Sequence, residues 1–455
     1  MARGGAPALH PVPVVAPLRR VDKLVIEGGA RLDGAVGICG AKNSVLPVMA
    51  AALLAEQPLR IPNAPQLHDV GTMAVLLREL GASVERYADG GVEICAEGPL
   101  SDKAPWETVR KMRASICVLG PLLARQGRAD VSLPGGCVFG VRPIDVHLKG
   151  FEALGAKVRV EHGFIVAEAP KGGLRGAEVF LGTAFGSSVT GTANVLMAAV
   201  LAQGRTVIHY AACEPEVEDL CRCLVAMGAK IDGIGSPMLT IDGVAKLGGA
   251  THAVIPDRIE AGTYLSAGAM TGGRVRVTGM RPVHLSAYLD RMREAGVPFE
   301  CGADWVETQP YAGTAPAGAG AFPPRPRPTD VTTQTYPGFP TDLQAQWMAQ
   351  MCFADGVSVI NEVIYPDRYM HVAELARLGA QVRRQGTTAI VQGKPSLSGA
   401  KVMASDLRAS AALVLAGLAA QGKTEVYRVY HIDRGYEKIE QRLIGLGAKI
   451  TRTKE

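Results

Sequence analysis

The sequence predicts an α/β protein assembled from six pseudo-symmetric units of about 70 residues each, and three observations carry that prediction. The phrase apolar–Gly–Ala–polar–Val/Ile recurs as LGASV at Gly81, LGAKV at Gly155, MGAKI at Gly228, LGAQV at Gly379 and LGAKI at Gly447, with a degenerate AGVPF at Gly296. Successive glycines stand 74, 73, 68, 83 and 68 residues apart. An Ala/Leu-rich run precedes each copy, then a glycine and an alternating stretch: LLARQGRADVSL, LAQGRTVIHY, MTGGRVRVTG, FADGVSVINEV and LAAQGKTEVYRV. In the first unit, LLAEQPLRIPN, Pro58 replaces the glycine. That punctuation lies 23–28 residues before the glycine of the first phrase in all six units. Finally, 455 residues with 47% hydrophobic and 20% charged side chains supply ample core, and suit two to four domains at roughly 100–200 residues each.

Each element has a physical reason. The Ala/Leu run reads as a helix, capped by its following glycine (Gly127, Gly204, Gly273, Gly356, Gly422) in the left-handed conformation. Alternating β-branched residues then make a strand. A second, amphipathic helix follows, such as VGTMAVLLREL or HVAELARL, ends at the LGA glycine, and is succeeded by another strand. The first helices open on polar residues and continue almost wholly apolar, as in GAKNSVLPVMAAALLA, MRASICVLGPLLA, SSVTGTANVLMAAVLA, PDRIEAGTYLSAGAM, FPTDLQAQWMAQMC and SDLRASAALVLAGLAA. A helix apolar on every face belongs in a core. Its N-terminus carries free N–H groups and partial positive charge. Convergence of several such starts, with Lys42, Arg113, Arg258 and Arg408 nearby, would make an anion site; each start taken singly reads as ordinary N-capping.

Composition excludes several classes. Net charge is +5 without basic clusters, so nucleic acid is not expected as a partner. No apolar run reaches the ~18–20 residues of a membrane helix, so no membrane insertion is expected. Prolines 11, 13 and 17 interrupt residues 1–20, which read as a flexible extension rather than a secretory signal. Nine scattered cysteines without a CxxC pair suit a reducing cytoplasm, and those in apolar runs read as small buried hydrophobes. There is no HExxH or GxSxG, and histidines lack metal spacing, so neither metal nor organic cofactor is expected. The GAG stretch Gly318–Gly320 sits in an Ala/Pro/Gly-rich loop, 312–328.

Candidate chemistry lies in loops and helix starts. Cys137 occupies LPGGCVFGVRP beside Arg142, a setting that lowers a thiol pKa, although a tolerated loop cysteine reads equally simply. Asp342, in FPTD before a buried helix, is a cap or a general base. Arg368 and Arg434 occupy equivalent turns after strands, suited to phosphate or carboxylate contacts or to a structural ion pair.

Together GAKNSVLP, MRAS, LPGGC…RP.D.H, PDRIE.GT, FPTD.QAQ, R.MHV.EL, DLRASA.LVLAG and YHIDRGYE resemble the UDP-N-acetylglucosamine 1-carboxyvinyltransferases, from about Val21 to the C-terminus. That resemblance implies two domains, each an inside-out α/β barrel of three repeats. Residues 21–41 plus 256–455 would form one domain, and residues 42–255 would form the other and carry the Cys137 loop. It implies transfer of the enolpyruvyl group of phosphoenolpyruvate to the 3′-hydroxyl of UDP-N-acetylglucosamine with release of phosphate. The setting would be cytoplasmic peptidoglycan precursor synthesis, and hence cell-wall growth, cell shape and cell division. No cofactor is implied and oligomeric state is left open. Matching motifs imply catalytic roles for Cys137, Asp342, Lys42 and Arg434. They imply phosphoenolpyruvate contacts from Lys42, Asn43, Arg142, Arg368, Asp406, Arg408 and Arg434. Sugar-nucleotide contacts would come from Arg113, Arg142, Pro143, Ile144, Asp145, Val146, Ser187, Ser188, Val189, Asp342 and Ile364. Cys137 would act as general acid and as the site of fosfomycin alkylation. One segment departs: where the family reads close to KVSVGAT, this chain reads GSSVTGT from Gly186, without the lysine. Rival readings are transfer to shikimate 3-phosphate, and a non-catalytic sugar-nucleotide-binding relative.

Overall fold

Six four-stranded sheets enclose two separate cores in a computed structural model that describes residues 22–87, 90–133, 144–312 and 325–454. Five of the six sheets share one plan. The strand after a buried helix pairs antiparallel with the outgoing strand of a hairpin and parallel with a short edge strand. In the second unit these are Arg128–Ser132, the hairpin Lys157–Glu161 and Phe164–Glu168, and the edge Lys103–Ala104.

The edge strands define a cycle. After each hairpin the chain passes to a neighbouring sheet and adds its edge. Lys103–Ala104 follows the first unit's hairpin and joins the second sheet; Glu178–Phe180 follows the second and joins the third. Ala250–Thr251 follows the third and returns to Leu59–Ile61 of the first. The other three sheets close likewise, and there the N-terminal segment takes two places: Asp22–Glu27 is an inner strand beside Lys423–Tyr427 and Lys449–Lys454, while Asp33–Gly37 is the edge beside Arg274–Thr278. One core accordingly runs from Val45 to Val254, and the other takes Leu24–Val36 together with Ile259–Ile450. The two passages between them lie side by side: Ala41 N–H donates to Ile255 C=O at 2.7 Å and Asp257 N–H to Cys39 C=O at 2.9 Å.

The apolar helices fill these cores. All residues of Arg258–Thr271 are buried, and nearly all of Lys42–Ala51 and Leu407–Ala419. Small residues let them approach: a Cβ on Gly120 would run into the backbone carbonyl of Asn194 in the neighbouring helix. All six LGA glycines have positive φ, from +73° at Gly296 to +105° at Gly228, as a helix-ending left-handed residue requires. In the other glycine set only Gly127 is the helix cap, at φ +71°; Gly204, Gly356 and Gly422 have positive φ but follow helices capped at Val200, Cys352 and Ala420, and the expectation for Gly273 fails too. Gly272 takes the left-handed cap at φ +61°, while Gly273 enters the strand and leaves room for the Leu32 backbone. Two helices open differently from expectation, with 3-10 turns at Arg113–Val118 and Thr341–Leu343 before Leu119–Gln126 and Gln344–Met351. Among described cysteines Cys117, Cys221, Cys223 and Cys352 are buried, but Cys39, Cys95 and Cys213 are half-buried and Cys301 is exposed, because their strand and loop positions leave one side open. No helix among the described residues is long and apolar enough to cross a membrane.

Candidate active site

Helix starts from both cores converge on one cavity of about 710 Å³. It is lined by Lys42, Asn43, Arg113, Val146, Ser187, Ser188, Val189, Asp342, Ile364, Arg368, Asp406, Arg408 and Arg434 among the residues singled out from the sequence. Ile144 and Asp145 open the helix that carries Val146 but do not line the cavity. Cys137, Arg142 and Pro143 lie outside the described residues, as does most of the 312–328 loop.

Capping accounts for some of these side chains and not for others. Asp406 accepts the N–H groups of Arg408 and Ala409 at 2.9 and 3.0 Å, and Ser188 accepts Gly191 N–H at 3.1 Å. Asp257 caps two helices at once: it takes Ile259 and Glu260 N–H at 2.9 Å each and Lys42 N–H at 3.1 Å. Asp342 does not cap its helix. Its carboxylate meets Arg368 Nη1 at 2.7 Å, Arg408 Nη2 at 3.4 Å and Asn43 Nδ2 at 3.3 Å. Burial alone would raise the Asp342 carboxyl, but Arg368 and Arg408 overcome it and hold the group well below its ordinary 3.8.

A second carboxylate, which the sequence reading missed, ties the other cations. Asp69 binds Lys42 Nζ at 2.7 Å and takes Arg434 Nε and Nη2 at 3.0 and 3.3 Å. Burial opposes its charge, yet Lys42 and Arg434 bring its pKa below the usual value. Burial in turn pulls the Lys42 ammonium below 10.5, against the attraction of Asp69. Asp69 sits in the first turn of His68–Glu79, where an acid signals only a helix start, so nothing local marked it. Glu214 and Glu216 were likewise unassigned: Glu216 holds Arg258, one of the cations expected near the helix starts, in a buried pair at 3.0 and 3.3 Å, and Glu214 takes Tyr336 N–H at 3.4 Å. Burial pushes the Glu214 carboxyl up, with Arg258 opposing.

Several cavity-lining polar atoms have no hydrogen-bond partner among the described residues: Arg408 Nε and Nη1, Ser405 Oγ, His431 Nδ1 and Glu214 Oε2. The Arg408 side chain is 2% exposed and its guanidinium lies 5.4 Å from the Tyr436 ring centre. Buried, oriented donors without acceptors are what a small anion would satisfy. The described residues hold no group of His, Cys, Asp and Glu arranged for a metal ion.

Six sheet units in two rings, with cationic helix starts meeting between them, define an enzyme class, the enolpyruvyl transferases. The EPSP synthase (3-phosphoshikimate 1-carboxyvinyltransferase) family profile matches residues 26–443, and the chain belongs to that family. The enolpyruvyl transferase NikO from Streptomyces tendae is 26% identical with a TM-score of 0.83, over 96% of this chain and 100% of that one. Two structures of EPSP synthase from Acinetobacter baumannii share the fold at 16% identity, with TM-scores of 0.69 and 0.66, over 95% and 94% of this chain and 100% and 99% of theirs. The protein is therefore a transferase with the enolpyruvyl transferase fold.

Proposed function

We propose that the protein transfers the enolpyruvyl group of phosphoenolpyruvate to the 3′-hydroxyl of UDP-N-acetylglucosamine, with release of phosphate, in cytoplasmic peptidoglycan precursor synthesis. One observation supports this above others. Met112–Ala114, Ser187–Val189 and Ile364, from three units remote in sequence, line the same cavity as Lys42, Arg368, Arg408 and Arg434. The second set suits a phosphate and a carboxylate, and the first extends the site for a longer acceptor. We take the passages near Ala41 and Pro256 as the boundaries of two domains, with the cavity in the cleft between them. Asp342 then faces the acceptor hydroxyl beside Asn43. A carboxylate held by two arginines is a weak base. Substrate anions that draw Arg368 and Arg408 toward themselves remove that restraint and return Asp342 toward ordinary carboxylate basicity. Cys137 is assigned as the acid that protonates the methylene carbon.

The test is phosphate release from phosphoenolpyruvate with UDP-N-acetylglucosamine or with shikimate 3-phosphate. Release with the sugar nucleotide alone supports the assignment. Release with shikimate 3-phosphate, the acceptor named in the family's title reaction, would keep the class and overturn the acceptor. Gly186 gives that second reading its footing: its φ is +102° and a Cβ would lie 2.7 Å from Thr335 Cγ2, so this turn has no place for the lysine of the resembling enzymes. Saturable sugar-nucleotide binding without release from either acceptor would indicate a binding protein. Fosfomycin should add once to the intact mass, and Cys137→Ser should abolish the adduct.

A further inference from the structure

Glu362 is fully buried and does not line the cavity, yet it joins three segments that do. Its Oε1 receives Thr333 Oγ1–H at 2.8 Å, Ile364 N–H at 3.0 Å and Tyr365 N–H at 2.9 Å, and its Oε2 receives Thr341 Oγ1–H at 2.8 Å. The directions of these bonds follow from their neighbours. Val363 N–H donates to Thr333 Oγ1 at 3.0 Å, and Arg368 Nη1 donates to Thr341 Oγ1 at 3.0 Å. Each hydroxyl has a single proton and already accepts an N–H, so both protons point to Glu362. All four partners are donors, and the group that receives them is an acceptor-only carboxylate.

We propose that Glu362 and Thr341 are positioning residues: the Glu362 carboxylate accepts a hydrogen bond from the Thr341 hydroxyl, which turns a Thr341 lone pair to Arg368 and holds the guanidinium in the cavity where an incoming anion meets it. Arg368 Nη1 is then held by two acceptors, Thr341 Oγ1 and Asp342 Oδ1, the latter at 2.7 Å. The same carboxylate shapes the turn that presents Ile364 and Arg368 through its two backbone N–H contacts. The inference rests on the reading of Arg368 and Asp342 as part of the reacting site. In Glu362→Gln the amide oxygen can keep the Thr333, Ile364 and Tyr365 contacts. Its NH2 then faces Thr341, whose oxygen accepts from both the amide and Arg368 while its own proton is left without the acceptor that oriented it.

A double-mutant cycle tests the relay, with kcat/KM for phosphate release and thermal melting measured on wild type, Glu362→Gln, Thr341→Val and the double variant. Each single variant should lose about tenfold in kcat/KM, the scale of one hydrogen bond to a charged group. The double variant should lose no more than about tenfold, since both changes cut one chain. Thr341→Ser, which restores the hydroxyl, should recover most of the loss seen with valine. Multiplication of the two losses in the double variant, or a wild-type rate in Thr341→Val, would overturn the relay. If Glu362→Gln does not fold, the valine and serine variants decide by the same criteria. If wild type releases no phosphate with UDP-N-acetylglucosamine, the acceptor assignment fails by itself. The same cycle, read as phosphoenolpyruvate affinity by titration calorimetry, then decides the relay.

Discussion

Two carboxylates organise the cations of the cavity, and their differences are instructive. Asp69 pairs with Lys42 from its own core and Arg434 from the other, and its side chain is 2% exposed. Asp342 pairs with Arg368 and Arg408, both from its own core, and remains 25% exposed to the cavity. The Asp69 carboxylate is buried at the wall of the cavity while its partners reach into it, and the Asp342 carboxylate is open to whatever enters. A buried pair holds structure, because loss of one partner strands a buried charge. An open pair can exchange partners with an incoming anion, which chemistry at the site requires.

Substitutions can break this comparison, starting with the largest effect. Asp342→Asn should lower kcat by a hundredfold or more, the range for loss of a general base, with little change in melting temperature. If turnover survives, Asp342 is not the base. Asp69→Asn should cost about 3 kcal/mol of stability in denaturant titration, as Lys42 loses its buried partner. An unchanged unfolding midpoint would show that Lys42 simply sheds its charge. The halves can also be compared through packing. Gly120→Ala presses a methyl on the Asn194 carbonyl and should cost about 2–3 kcal/mol, whereas Gly262→Ala meets the flexible end of Leu343 and should cost less than about 1.5 kcal/mol. Equal losses would mean that the first core yields as readily as the second.

The smallest effect concerns pH. Glu260 lies two residues after Arg258, on the opposite side of the helix and away from the cavity, taking Cys39 N–H at 3.0 Å with Arg442 at 3.8 Å. Burial, then Asp257, push its carboxyl from 4.5 up to about 7. The folded protein thus binds this proton more tightly than the unfolded chain does. Its contribution to stability is full below about 4.5 and is lost as pH rises through about 7. Glu260→Gln should flatten that part of the stability profile between pH 5 and 8. An unchanged slope would assign the pH dependence to other groups.

Much of the fold was legible in the sequence because its signals are local and repeated. A left-handed glycine, an all-apolar helix and an alternating strand each have a signature within about ten residues, and six copies remove the ambiguity of one. Lys42, Asn43, Asp342, Arg368, Arg408 and Arg434 could be picked out because they sit in distinctive helix starts and turns, and all six line the cavity. Asp69 could not, since its partners are Lys42 and a residue 365 positions away. Glu362 left a faint trace: it continues the inward phase of Ser358 and Ile360, where a carboxylate is out of place. The alternation does not say which donors satisfy it.

By itself, then, the sequence determined six units, their helices, strands and turns, and the residue types at each helix start, because periodicity and backbone propensity act between near neighbours. Tertiary structure alone decided that the N-terminal segment completes two sheets of the second ring, and that the cationic starts meet in one cavity. It also decided which carboxylate holds which cation. These outcomes depend on Coulomb and hydrogen-bond contacts between groups hundreds of residues apart, and such distances exist only once both cores have formed.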